Sequence, residues 1–237
     1  MNGTNLTEAF TGKLENLILT GEWPIGSVVP SLRDLTEKFG VSRSVVNVGI
    51  NELISRGYLI TSTRKHTVVA DWKSEGTLAI LNGLLANDLM DECTLSSMFD
   101  CRYLIMTDSA FLAAQNRTET DINRMRLLLG NEVFSGGAEM LAKYDMELHR
   151  TVASASKNAV YPLILKSFEP SIEHHIINFY SEPSVVLFIR EKHAELVNAI
   201  ENRDSEAAKK IMKDLLQHGR NSRGWIRKVD SNGSKVQ

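Results

Sequence analysis

Ser31-Leu-Arg-Asp-Leu-Thr-Glu-Lys-Phe-Gly40, Val41-Ser-Arg-Ser-Val-Val-Asn-Val-Gly-Ile-Asn-Glu-Leu-Ile-Ser-Arg56 and Gly57-Tyr-Leu-Ile60 through Thr67-Val-Val-Ala70 decide the fold. The first stretch reads as a short amphipathic helix. Ser31 is its N-cap, Asp34 closes a capping box, and Gly40 is the left-handed stop. The second reads as another helix, capped by Ser42. Val46, Ile50, Leu53 and Ile54 recur at helical spacing and form its apolar stripe. Arg43, Ser44 and Asn47 are left on the opposite face, near the N-terminal end. The third stretch reads as a β-hairpin. Helix, turn, helix and wing make a shape that fits the major groove of DNA, where the N-terminal end of the second helix meets base edges. Arg suits guanine, Asn suits adenine, and a serine hydroxyl suits a base edge or a phosphate. The same face also describes an ordinary solvated helical hairpin.

The flanking residues narrow this. Gly21-Glu-Trp-Pro-Ile-Gly-Ser-Val-Val-Pro30 precedes the helices, and Asn51-Glu-Leu-Ile-Ser-Arg-Gly-Tyr-Leu59 leads into the hairpin. In order and spacing, the first 70 or so residues resemble the GntR family of bacterial transcription regulators. The resemblance implies that Arg33, Ser42, Arg43, Ser44, Val45 and Asn47 face DNA and that the wing tip enters the minor groove. The sequence departs from the family at several positions. Leu32 stands where Glu is usual, and Asn47 replaces an Arg. Val48 and Gly49 replace an acidic-apolar pair. The wing tip is Thr63-Arg-Lys-His66 rather than a Gly-containing turn. The lost Arg contact is worth roughly 1–3 kcal/mol if base-specific. Arg64 and Lys65, with His66 beside them, are placed to restore phosphate affinity.

The chain has 237 residues, a net charge of −2 and a hydrophobic fraction of 43%, ordinary values for one or two globular domains. Residues 1–70 hold seven Lys and Arg against six Asp and Glu, a net of +1; the rest hold 20 against 23, a net of −3. A mildly basic reader joined to a mildly acidic body suits DNA contacts that are few and placed. No stretch reaches 18 apolar residues and the N-terminus is polar, so the expected location is cytoplasmic, without a membrane partner. Cys93 and Cys101 fit neither a zinc knuckle nor a redox pair.

Leu6, Phe10, Leu14, Leu17 and Ile18 give the stripe of an opening helix of about fifteen residues. The expected organisation is a winged helix-turn-helix over 1–71, a linker over 72–76 with Trp72 at the junction, a helical domain over 77–229 and a tail over 230–237. The helical domain reads as an antiparallel bundle of six or seven helices near 75–90, 95–115, 119–135, 138–155, 159–180, 184–202 and 204–229. The fold class is therefore mainly α with a small β-hairpin wing. Thr94, Thr118, Ser184 and Asp204 are the expected starts, and Asp91-Glu92 reads as loop.

Met98-Phe-Asp-Cys-Arg-Tyr-Leu104, Tyr144-Asp-Met-Glu-Leu-His-Arg150, Ala155-Ser-Lys-Asn158 and Lys192-His-Ala-Glu-Leu-Val-Asn-Ala-Ile-Glu-Asn-Arg-Asp204 resemble the helical, FCD-type effector domain of the FadR subfamily. That resemblance implies a dimer and a small-molecule effector.

One constellation is suited to chemistry. Asp145 and His149 lie four apart and share a helix face, and His193 lies on a later helix. A carboxylate with imidazoles suits Zn, Ni or Mn. The resemblance implies a further His ligand, but Leu215 occupies that position, and His218 lies about a turn beyond it. The three residues equally describe polar pocket groups without a metal, so no cofactor is assigned. Arg102 matches an Arg that faces the effector cavity in the subfamily, where a guanidinium grips a carboxylate bidentately; a helix-pairing salt bridge describes it equally well. His174-His175 point apart on a helix.

Two effectors compete. One is a small carboxylate or sugar acid held by Arg102, Asp145, His149 and His193. The other is a fatty acyl-CoA, with Arg220, Arg223, Arg227 and Lys228 meeting its phosphates. The rival from another class is a metal-dependent hydrolase using Asp145, His149 and His193. The sequence holds no phosphate-binding Gly loop, nucleophile elbow or HExxH motif to support an enzyme. The expectation is a ligand-responsive transcription regulator, a dimeric repressor on a near-palindromic double-stranded operator.

Overall fold

The computed structural model describes residues 3–61, 66–130 and 136–221, apart from the side chains of 3–5, 174, 220 and 221. It is mainly helical and divides into two compact units, Met1–Met90 and Asp91–Gln237.

The first unit holds α1 (Gly3–Leu19), α2 (Leu32–Phe39), α3 (Arg43–Arg56), β1 (Leu59–Thr61), β2 (Thr67–Val69), α4 (Trp72–Glu75) and α5 (Ala79–Ala86). The expected caps are present. The Ser31 hydroxyl accepts the Asp34 amide at 3.2 Å, and the Asp34 carboxylate accepts the Ser31 amide, also at 3.2 Å. Gly40 ends α2 at φ 64°, where a Cβ would be strained. Ser42 Oγ then accepts the Val45 amide at 3.3 Å and starts α3. Leu14, Leu35, Val46 and Leu53 are fully buried between α1, α2 and α3, and Tyr58 and Leu59 carry the same core into the wing.

Gly49 explains a departure noted in the sequence. A Cβ there would lie 2.7 Å from Phe10 Cδ1, so the Phe10 ring rests on bare backbone. A glycine inside a helix costs about 1 kcal/mol relative to alanine; here it allows α1 to pack closely on α3.

β1 and β2 pair antiparallel, with Leu59 opposite Val69 and Thr61 opposite Thr67. The segment before α2 lies along the other edge of β2. The Gly26 amide donates to the Val69 carbonyl at 2.8 Å, and the Val29 amide donates to the Thr67 carbonyl at 2.9 Å. The Pro24–Pro30 connector thus fixes the wing as well as the entry to α2.

The expected linker over 72–76 and the helix beginning near 75 require correction. Residues 72–75 form the short helix α4, Gly76 interrupts, and α5 packs on the first unit. Ile80 joins the core with Tyr58, and Trp72 packs against it. The Thr77 hydroxyl donates to the Arg56 carbonyl at 3.0 Å, and the Asn16 amide donates to Asn87 Oδ1 at 2.9 Å. The division therefore falls after Met90. An isolated 3.6-residue periodicity cannot tell which core a helix serves.

The second unit contains, among the described residues, α6 (Glu92–Asn116), α7 (Glu119–Leu128), α8 (Ala138–Ala155), α9 (Tyr161–Tyr180), α10 (Pro183–Glu201) and α11 (Ser205–Asn221). α6 packs against α8, α10 and α11, and α8 also packs against α7 and α9. Thr118 and Asp121 form the capping box of α7, and Asp204 accepts the Ala207 amide at 3.0 Å. Two starts differ from expectation. Asp91 is not idle loop: its carboxylate accepts the Thr94 amide at 2.6 Å, so α6 begins before Thr94. α10 begins at Pro183 rather than Ser184, since proline at the first helical position leaves no needed donor unmet. No described helix is long and apolar enough to cross a membrane. The expected ends near residues 131–135 and 222–229, and the tail over 230–237, lie outside the described residues.

Two glycines give opposite expectations. At Gly83 a Cβ would fall 2.0 Å from the Tyr58 hydroxyl and 2.5 Å from Glu15 Oε1, whereas at Gly12 nothing lies within 4 Å. Gly83→Ala should lower the stability of the first unit by about 1–3 kcal/mol, and Gly12→Ala should raise it by about 0.5–1 kcal/mol. Urea denaturation followed by circular dichroism measures both.

Candidate functional site

The first unit presents a polar face on α3. Val46, Gly49, Ile50 and Leu53 are buried, while Arg43, Ser44 and Asn47 are exposed. Arg33 on α2 and His66 beside β2 are exposed as well. Ser42 is exposed, but its oxygen is engaged in the cap, which leaves its hydroxyl hydrogen to donate. Val45 is half-buried against the core. Arg64 and Lys65 at the wing tip lie outside the described residues. The exposed face also includes Val48, 52% exposed, and Asn51, neither of them among the expected DNA-facing residues. With Ser44 and Asn47 they follow the spacing i, i+3, i+4, i+7, so helical spacing from Ser44 identifies them. Arg56 does not belong to this face. It pairs with Glu15 at 3.2 Å and with Glu52 one turn earlier.

The second unit gathers side chains from four helices around one carboxylate. Asp145 and His149 come from α8, Arg102 from α6, Tyr180 from the end of α9 and His193 from α10. The Tyr180 hydroxyl donates to Asp145 Oδ1 at 2.9 Å. Nε2 of His193 and of His149 lie 3.3 Å and 3.6 Å from the same oxygen, and Arg102 Nη2 lies 3.6 Å from Oδ2. One donor atom from each of Asp145, His149 and His193 falls within 4.8 Å of the others. His149 Nδ1 is buried with no hydrogen-bond partner among the described residues. Sequence spacing revealed the Asp145–His149 pair. It gave no sign of Tyr180, which meets Asp145 only through the packing of α9 on α8.

Burial governs the protonation of these groups. It drives the His149 imidazole down to about 3, against the pull of Asp145, so the ring is neutral at physiological pH. Burial alone would raise the Asp145 carboxyl, but His149, His193 and Arg102 around it outweigh this and hold it well below the usual carboxylate range. Burial also lowers Arg102, with Asp145 opposing; a guanidinium keeps its charge regardless. An ionised carboxylate and a neutral imidazole are the protonation states a divalent metal requires of its ligands.

These residues line a cavity of about 290 Å³. Leu215, at the position where the resemblance implied a further His, is buried and forms part of its wall. His218 does not join the cluster. Its ring lies 4.0 Å from the Phe188 ring, centroid to centroid. His175 lines the cavity, while the side chain of His174 lies outside the described residues. Arg102 lines the cavity and pairs α6 with α8 through Asp145.

Comparison with known proteins agrees with both halves. Residues 6–69 match the model of the bacterial regulatory proteins of the gntR family, and residues 97–218 match the FCD domain. The Glc operon transcriptional activator of Escherichia coli K12 is 28% identical over 225 residues, 90% of this chain and 86% of its own. The fatty acid metabolism regulator protein of Erwinia tasmaniensis is 28% identical over 218 residues, 89% of this chain and 88% of its own. A solved structure of Lar, described as controlling expression of the Listeria monocytogenes agr system, shares the fold. It has a TM-score of 0.63 at 15% identity, covering 94% of this chain and 97% of its own.

Removing the central charge should be costly. In chelator-treated protein, Asp145→Asn strands the buried Arg102 cation and should destabilise the second unit by about 3–5 kcal/mol. The double variant with Arg102→Met should recover most of that loss. Chemical denaturation of the two single variants and the double variant tests the coupling.

Proposed function

The chain belongs to the GntR family of bacterial regulatory proteins and carries an FCD domain, and on that premise we propose that it is a dimeric repressor released from DNA by a small carboxylate. The family and its relatives regulate transcription and are not enzymes, which sets aside the metal-dependent hydrolase. The observation that carries the proposal is the division of α3 into a buried face and an exposed polar face at its N-terminal end.

In this reading Arg43 and Asn47 contact base edges in the major groove. Arg33, Ser42 and Ser44 contact phosphates or bases, with Val45 beside them, and Arg64, Lys65 and His66 bring the wing to the minor groove. Val48 offers an apolar surface of the kind that meets a thymine methyl. Two heads related by two-fold symmetry would read a near-palindrome that differs from the usual family half-site. The protein would act in the cytoplasm.

The cavity of the second unit holds the effector. Arg102 takes its carboxylate, while Asp145, His149 and His193 hold a divalent metal such as Zn, Ni or Mn, and the effector completes the ligand shell. The unpartnered His149 nitrogen and the ionised Asp145 support this donor set. The cavity, at about 290 Å³, lies at the small end of ligand sites and favours a small acid over acyl-CoA. Effector binding would change operator affinity by favouring one of two dimer states.

Two measurements test this. Arg43→Ala should weaken binding to the duplex upstream of the protein's own gene by about tenfold or more, with an unchanged melting temperature because Arg43 is exposed. Fluorescence anisotropy reads the affinity, and no preference of the effector-free protein for that duplex over a scrambled one would sink the proposal. Elemental analysis of protein purified without a His-tag should find a divalent metal that His149→Ala removes. A metal-free protein that still responds to its effector would overturn the metal assignment alone.

A further inference from the structure

The buried polar groups of the cavity stand in one cluster, while the half-buried Tyr103 and His175 also line it. Arg102, Asp145, His149 and His193 stand within a few ångströms of one another. Away from them the buried walls are Ile176, Phe179, Ile189 and Leu215, with Phe99 half-buried at the side. Asp100 and Gln217 also border the cavity, but both are exposed and so belong to its solvent rim. Resting on the carboxylate-effector reading above, we infer that the effector is a monocarboxylate with an apolar, unhydroxylated chain or ring. Its charged end meets Arg102, and its body lies against Ile176, Phe179, Ile189 and Leu215.

The walls, the volume and the Arg102 cation point to this effector. A hydroxyl pressed against these walls loses its water and gains no partner, which weakens binding by roughly tenfold per group. A sugar acid would carry several such groups into the site. Second, a cavity of about 290 Å³ lies at the small end of ligand sites and suits an acid such as octanoate or 3-phenylpropanoate. Third, a CoA thioester has no free carboxylate, so it would leave Arg102 without the anion assigned to it. Leu215 is the most informative position. A further polar ligand there would have favoured hydroxylated acids, whereas the leucine extends the apolar wall toward the cluster.

Isothermal titration calorimetry on the full-length, untagged protein tests this with straight-chain acids from butanoate to octanoate, 3-phenylpropanoate, gluconate, octanol and octanoyl-CoA. Each added methylene should tighten binding by about fourfold. Gluconate should bind at least about tenfold more weakly than octanoate. A flat chain-length series, or gluconate binding as tightly as octanoate, would overturn the apolar body and leave the carboxylate effector standing. Octanol matching octanoate, octanoyl-CoA binding more tightly than the free acid, or no acid binding at all would bring down both.

Discussion

A single buried negative charge organises the second unit. The Asp145 carboxylate meets Arg102 from α6, Tyr180 from α9 and His193 from α10, and shares α8 with His149. An isolated charge at this depth would be expelled or neutralised. It persists because a cation, a hydroxyl donor and two imidazoles surround it. The four helices are thus held by the residues that would also meet a ligand. A ligand that draws Arg102 or the imidazoles away from Asp145 must change how these helices are tied together. In the proposed reading, recognition and transmission would begin at the same atoms.

The first unit solves a different problem. α3 must bury one side completely and leave the other free, and it has only fourteen residues in which to do so. Val46 and Leu53 fill the core, and Gly49 lets the Phe10 ring approach the backbone itself. The helix is then fixed from behind by α1, and its N-terminal end by the Ser42 cap. The exposed side chains need no contacts among themselves to be well placed. α5 adds to this frame from the far side, with Gly83 against Tyr58 and Glu15.

Much of this was legible in the sequence, where the signal is local. Ser31, Asp34, Gly40, Ser42 and Thr118 act through groups within a few residues, and their chemistry identifies helix ends without knowledge of the fold. The i, i+4 spacing of Asp145 and His149 was equally local. What escaped notice depends on packing between distant segments. Tyr180 reaches Asp145 across 35 positions, and α5 joins the first unit because Ile80 fits beside Tyr58. Asp91 caps α6 through the Thr94 amide, and the sequence offers Thr94 as an equally good local start. The sequence shows Leu215 only as the absence of a ligand; its place in the wall follows from the cavity.

Glu15 and Glu52 engage Arg56 within the first unit, so Arg56 adds no free cation to the exposed face of α3. Each phosphate a protein neutralises steepens its loss of affinity with added salt by about one power of concentration. A DNA-binding head with fewer free cations holds its target more evenly as salt rises. Such a head also gains less from arbitrary sequence, because non-specific affinity comes from the phosphates it neutralises.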